Sequence, residues 1–205
     1  MSSQLGIMRS VVASIVASVL STLCVTAGPN PTSLTILFQF DGPHSDKSVQ
    51  EMQRELGSIM KESGLQIDWR DRGRMARSES FPNLVVVNFR GKCRMDPIPF
   101  LYDERGPLAF TYGADGTVLP FSEIECDKIR STLHSAMWGG DYGRSDLLFG
   151  RALARVLAHE LYHVLAGTRA HPGTGVARHA LSGSQLISDE LHLNPAELER
   201  MHTGR

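Results

Sequence analysis

The stretch 157-LAHELYHVLAGTRAH-171 sets His159 and His163 four residues apart, with Glu160 directly after the first. On an α-helix, positions i and i+4 lie on one face, one turn apart, so both imidazoles can reach a single metal ion. Glu160 falls about 100° round the helix from His159. Its carboxylate would stand beside the metal without ligating it, where it can take a proton from a water. Imidazole nitrogens suit zinc, and catalytic zinc takes three protein ligands and keeps one position open.

The flanks sharpen this reading. Leu161 and Tyr162 between the histidines are uncharged, and Val156, Leu157, Ala158 and Val164 around them are apolar or small. The apolar periodicity predicts a helix over about 146–166, capped by Ser145 or Asp146, ending at Gly167 and largely buried. Inside such a helix an unpartnered His, Glu or His would each cost about 1–3 kcal/mol. Metal coordination removes that cost.

The third ligand has several candidates. Gly167 can close the helix in a left-handed conformation and turn 168-TRAH-171 back beneath the histidine face, which puts His171 first. Glu190, or Asp189 beside it, could ligate from a later helix beginning at 188-SDELH-192. His179, in the loop 173-GTGVARHALS-182, is a further candidate. His44, His134, His192 and His202 carry no ligand spacing.

These residues need a scaffold. Alternation in 34-LTILFQF-40 predicts a strand, and 48-SVQEMQRELGSIMKESG-64 an amphipathic helix with a Ser48/Glu51 capping box and a stop at Gly64. A second strand is expected at 65–69, a charged loop at 70–80, and an inner strand covered on both faces at 84-LVVVNFRG-91. Two short strands around Asp115-Gly116 read as a hairpin, with Pro120 suited to an edge strand. Such an edge beside a cleft can accept an extended peptide as an added strand. The fold class expected is α+β, a mixed twisted sheet with an antiparallel edge hairpin, packed by the amphipathic helix and the buried motif helix.

At "HELYH", its flanks and this order of elements, the chain resembles the zincin metallopeptidases. The downstream "GTRAH" is similar to the metzincin branch, and more loosely the chain resembles small exported bacterial zincin-like proteins. Gly167 and His171 lie four and eight residues after His163, longer spacings than metzincins use, and no methionine follows until Met201. The resemblance implies a zincin-like fold and one catalytic Zn2+ per chain held by His159 and His163. It also implies Glu160 as general base and hydrolysis of a peptide or protein substrate, endopeptidase ahead of exopeptidase. A zinc-binding protein with little or no hydrolytic activity is the alternative. The sequence assigns no oxyanion stabiliser.

Composition bounds the rest. The chain has 205 residues, 41% hydrophobic and 21% charged, with formal net charge −1, which gives no electrostatic footprint for nucleic acid. Residues 1–27 hold one charge, Arg9, before the apolar run 11-VVASIVASVLSTLCVTA-27. That run is short for a stable span of ~20 residues, so no stable membrane anchor is expected. A signal peptide cleaved after Ala27 is expected, and with it a secreted or periplasmic protein. Residues 28–33 would be a flexible leader and 34–205 a single domain. Cleavage removes Cys24, leaving Cys93 and Cys126 as a disulfide or as two buried thiols. Oligomeric state is not legible.

Overall fold

Alternating apolar residues place β1 (Thr32–Phe40) with Leu34 and Ile36 buried, and the computed structural model describes residues 32–76, 78–96 and 106–204 of the chain. The expected signal segment lies outside the described residues. Thr32 and Ser33, expected in the leader, already pair with Leu65 and Gln66, so the strand starts two residues early.

Helix α1 (Asp46–Lys61) starts ahead of the expected capping box. Ser45 is the N-cap and accepts from the Ser48 amide, while the Ser48 hydroxyl donates to the Asp146 carbonyl 3.0 Å away. Glu51 pairs with Arg54 on the exposed side instead of reaching back to a cap. Met52, Leu56, Ile59 and Met60 turn inward.

The other strands are β2 (Leu65–Asp71), β3 (Leu84–Arg90), β4 (Ala109–Ala114) and β5 (Thr117–Glu125). They form one five-stranded sheet in the order β2-β1-β3-β5-β4. The first three pairings are parallel, and β4 runs antiparallel to β5 at the edge. The architecture is α+β with a mixed sheet. In β3, Val85, Val87 and Phe89 are buried while Val86 and Asn88 are half-buried, so the run is closed on one face rather than both.

Asp115 and Gly116, both at positive φ (50° and 80°), turn the β4–β5 hairpin as the sequence predicts. Pro120 departs from expectation, because it lies in β5, which is inner from Phe121 onward. It is accommodated because the β3 ladder has not begun there and the β4 register shifts between Thr111 and Gly113.

Helix α2 (Cys126–Ala136) follows β5 directly; Cys126, Ile129, Arg130 and Leu133 bury one helical face. Cys93, after β3, is disulfide-bonded to Cys126. Helix α3 (Ser145–Ala166) carries the histidines. Its N-cap is Arg144, without a side-chain bond, rather than Ser145 or Asp146. It packs on α1 and shares one core with Leu34, Ile36, Val85, Val87, Phe89 and Ile124.

Inside that core Arg155, fully buried, donates from Nε to Glu55 at 3.0 Å and from Nη1 to the Gln185 carbonyl at 2.7 Å. A charge buried this far survives only with such partners, and these tie α3 to α1 and to the short helix α4 (Gly183–Ile187). Helix α5 (Pro195–Thr203) closes the described chain against α3. Among the described residues no helix is long and apolar enough to cross a membrane.

Candidate metal centre

Gly167 ends α3 at φ 58°, ψ 30°, a left-handed conformation open to glycine. The turn brings the Thr168 carbonyl under the ring of His163, which donates to it from Nδ1 at 2.8 Å. On the neighbouring turn His159 Nδ1 faces the Val176 carbonyl at 3.2 Å. Carbonyl oxygens only accept, so both Nδ1 atoms carry the proton and both Nε2 atoms present bare lone pairs. Those two Nε2 atoms face each other at 3.1 Å.

Two lone pairs at that distance repel unless a cation lies between them. Tetrahedral zinc with Zn–N near 2.0–2.1 Å would separate two ligand nitrogens by roughly 3.3 Å. His171 completes the set. Its ring centroid lies 5.1 Å from His159 and 4.7 Å from His163, and one ligand atom from each of the three falls within 4.8 Å of the others. The three imidazoles are close enough to hold a metal ion, and the donor set fits one.

The electrostatics agree. Burial, with His163 beside it, pushes the His159 pKa down to about 4. Burial likewise lowers His163 and His171, the latter with help from His179. All three are therefore held in the neutral form that ligates metals.

Glu160 lines the same cleft as the ligand trio and is bonded to the hairpin. Its Oε2 accepts a 2.6 Å hydrogen bond from Thr111 on β4, whose hydroxyl in turn lies 2.8 Å from that of its cross-strand partner Ser122. Burial raises the Glu160 pKa to about 7, against the lowering effect of the Thr111 bond. A carboxyl so placed can take and return a proton near neutral pH.

The alternative ligands lie elsewhere. The helix expected at 188-SDELH-192 does not form; the chain bends at Ser188 and Asp189, runs on without regular structure, and α5 begins at Pro195. Asp189 pairs with Arg151, and Glu190 lies 3.7 Å from His192, which itself bonds Glu62. His179 lines the cleft with its ring 5.2 Å from His171, outside the convergent trio. His44 stacks on Phe40, and His202 meets the Ser63 carbonyl.

Sequence reasoning missed Thr111, Ser122 and Glu197. Glu197 is fully buried and accepts from the amides of Ala177 at 2.6 Å and Asn194 at 2.7 Å. It thereby fixes the segment whose Val176 carbonyl orients His159. The 194-NPAE-197 pattern of an Asx cap, proline and N3 glutamate was a legible helix start, but nothing local tied it to His159.

The trio and Glu160 line a cleft of about 640 Å³ bounded on one side by Leu108 to Thr111 of the edge strand and its approach. Comparison of the chain with protein-family models and with curated proteins finds no match.

Proposed function

We propose that this chain is an exported zinc-dependent peptidase of zincin type. The observation that carries the reading is the pairing of bare Nε2 atoms 3.1 Å apart with a buried carboxylate in the next position of the same helix. His159, His163 and His171 would hold the zinc, which when bound supplies Lewis acidity that brings the pKa of a water to near neutrality.

Glu160 would take the proton of an attacking water in the cleft as the water oxygen adds to the peptide carbonyl carbon. It returns the proton to the amide nitrogen as the C–N bond breaks. Thr111 holds the carboxylate in place through both transfers. The reading of a peptide substrate rests on β4, which is the sheet edge and flanks the cleft, so an extended chain can pair with its open side. Export rests on the N-terminal sequence and on the Cys93–Cys126 disulfide, a bond that persists in oxidising compartments.

The test is Glu160→Gln. Zinc measured by elemental analysis should remain near one per chain, while hydrolysis of quenched peptide substrates should fall on the order of 10²–10⁴-fold. Full peptidase activity in that variant would exclude Glu160 as the base. A wild-type protein that binds zinc and cleaves no peptide would favour a zinc-binding role without hydrolysis.

A further inference from the structure

Among the described residues lining the cleft, Arg169 carries the one guanidinium. It follows the Gly167 turn and stands two residues before His171. Its head lies over Gly113 of β4. A Cβ at that position would collide with Arg169 Nη2, stand 3.0 Å from Cζ and approach the Thr117 carbonyl oxygen to 2.9 Å. Glycine at 113 therefore provides the seat in which the guanidinium rests. Its charge reaches His163, where it disfavours protonation of the ring. No described carboxylate forms an ion pair with it.

Along β4 the cleft runs from Leu108, beside which Lys128 Nζ donates to the Pro107 carbonyl at 3.4 Å, past Thr111, which holds Glu160, to Gly113, over which the Arg169 guanidinium is seated. A guanidinium offers donors in a planar fork that matches a carboxylate, and seating it in advance reduces the ordering cost of binding.

We propose that the cleft selects peptides bearing a carboxylate on the Gly113 side of the bond under attack, bound by Arg169. This rests on the peptidase reading and deepens it. The carboxylate has two possible sources, an Asp or Glu side chain or a free C-terminus.

Binding in the zinc-loaded Glu160→Gln protein tests the proposal without turnover. The probes are acetylated leucine–alanine octapeptides carrying one Asp or one Asn, each ending in an acid or an amide. At least one carboxylate-bearing peptide should bind about tenfold more tightly than the Asn amide. Adding Arg169→Gln, a change at an exposed side chain, should reduce that ratio to about one. The Asp amide and the Asn acid separate the two sources. Absence of any preference, a preference that survives Arg169→Gln, or equal weakening of all four peptides by that change would overturn the proposal. Failure of the peptidase reading has a different signature: wild-type protein would bind the carboxylate peptides selectively and hydrolyse none.

Discussion

Thr111 Oγ1 stands 2.6 Å from Glu160 Oε2, so the edge hairpin and the histidine-bearing helix meet at the carboxylate on which the proposed chemistry turns. The contact spans 49 residues of sequence, and Ser122 backs it from the paired strand. It decides where the Glu160 oxygen points. It also opposes the burial that pushes the Glu160 pKa up to about 7.

Thr111→Val keeps the shape and removes the hydroxyl. Because that bond favours the ionised form, its loss should move the Glu160 pKa further up, and the acid limb of the pH–rate profile with it. A hydrogen bond worth ~1 kcal/mol corresponds to a rise of about half to one pH unit. A profile of kcat/KM from pH 5 to 9 reads this directly. An unmoved limb, or one displaced to lower pH, contradicts the assigned role.

The ligand set makes a sharper division. Alanine at His159, His163 or His171 should abolish stoichiometric zinc binding, because two imidazoles rarely retain a catalytic zinc. Alanine at Asp189, Glu190 or His179 should leave zinc near one per chain, since none joins the convergent trio. For the wild type, burial lowers all three ligand imidazoles, so zinc affinity should fall only as pH drops below the ordinary imidazole range toward about 4, where His159 takes up a proton in competition with the metal. Elemental analysis after gel filtration checks all three statements, and loss of zinc from Asp189→Ala or Glu190→Ala would reopen the choice of third ligand.

Glu197 should act on the metal at a distance. Its carboxylate fixes the Ala177 amide, and the adjacent Val176 carbonyl fixes the ring of His159. Partners that orient a ligand histidine typically alter metal affinity by 10–100-fold. Glu197→Gln should therefore weaken zinc binding by about that factor. Glu197→Asp, which keeps the charge on a shorter stem, should weaken it less. Competition with a chelating dye measures both. Equal affinity in wild type and Glu197→Gln would reduce Glu197 to a helix cap.

What was legible in the sequence is what a single helical or strand period encodes. The i, i+4 histidines, the glycine stop at 167, the Asp115-Gly116 hairpin and the β-branched run of β3 each carry their geometry in a few neighbouring residues. His171 was reachable because the left-handed turn at Gly167 constrains where the next four residues go. Thr111, Ser122 and Glu197 were not, since their roles arise only when the sheet and α3 dock. The expected helix at 188-SDELH-192 failed for the same reason: Ser188 and Asp189 are taken up by Arg155 and Arg151, which draw that bend onto α3. The period of α2, with Cys126, Ile129, Arg130 and Leu133 on one face, was present but obscured by the polar residues between them.

The disulfide should stabilise the fold without shaping the metal site. Cys93 and Cys126 are both fully buried and are 33 residues apart in sequence, bracketing the hairpin that holds Glu160. Closing a loop of that length removes unfolded-chain entropy worth about 3–4 kcal/mol. For a domain of this size that corresponds to a Tm lower by roughly 10 °C in Cys93→Ala/Cys126→Ala. The hairpin itself is held by the β3–β5 and β4–β5 ladders and by the Thr111–Glu160 bond, which the substitution leaves intact. Zinc affinity at 25 °C should accordingly stay within about threefold of wild type, since cost in global stability need not reach a locally ordered site. Calorimetric melting and zinc titration of the same preparation separate the two effects. An unchanged Tm would show that the bridge contributes no stability, and a large loss of zinc affinity at full folding would show that the bridge positions the hairpin.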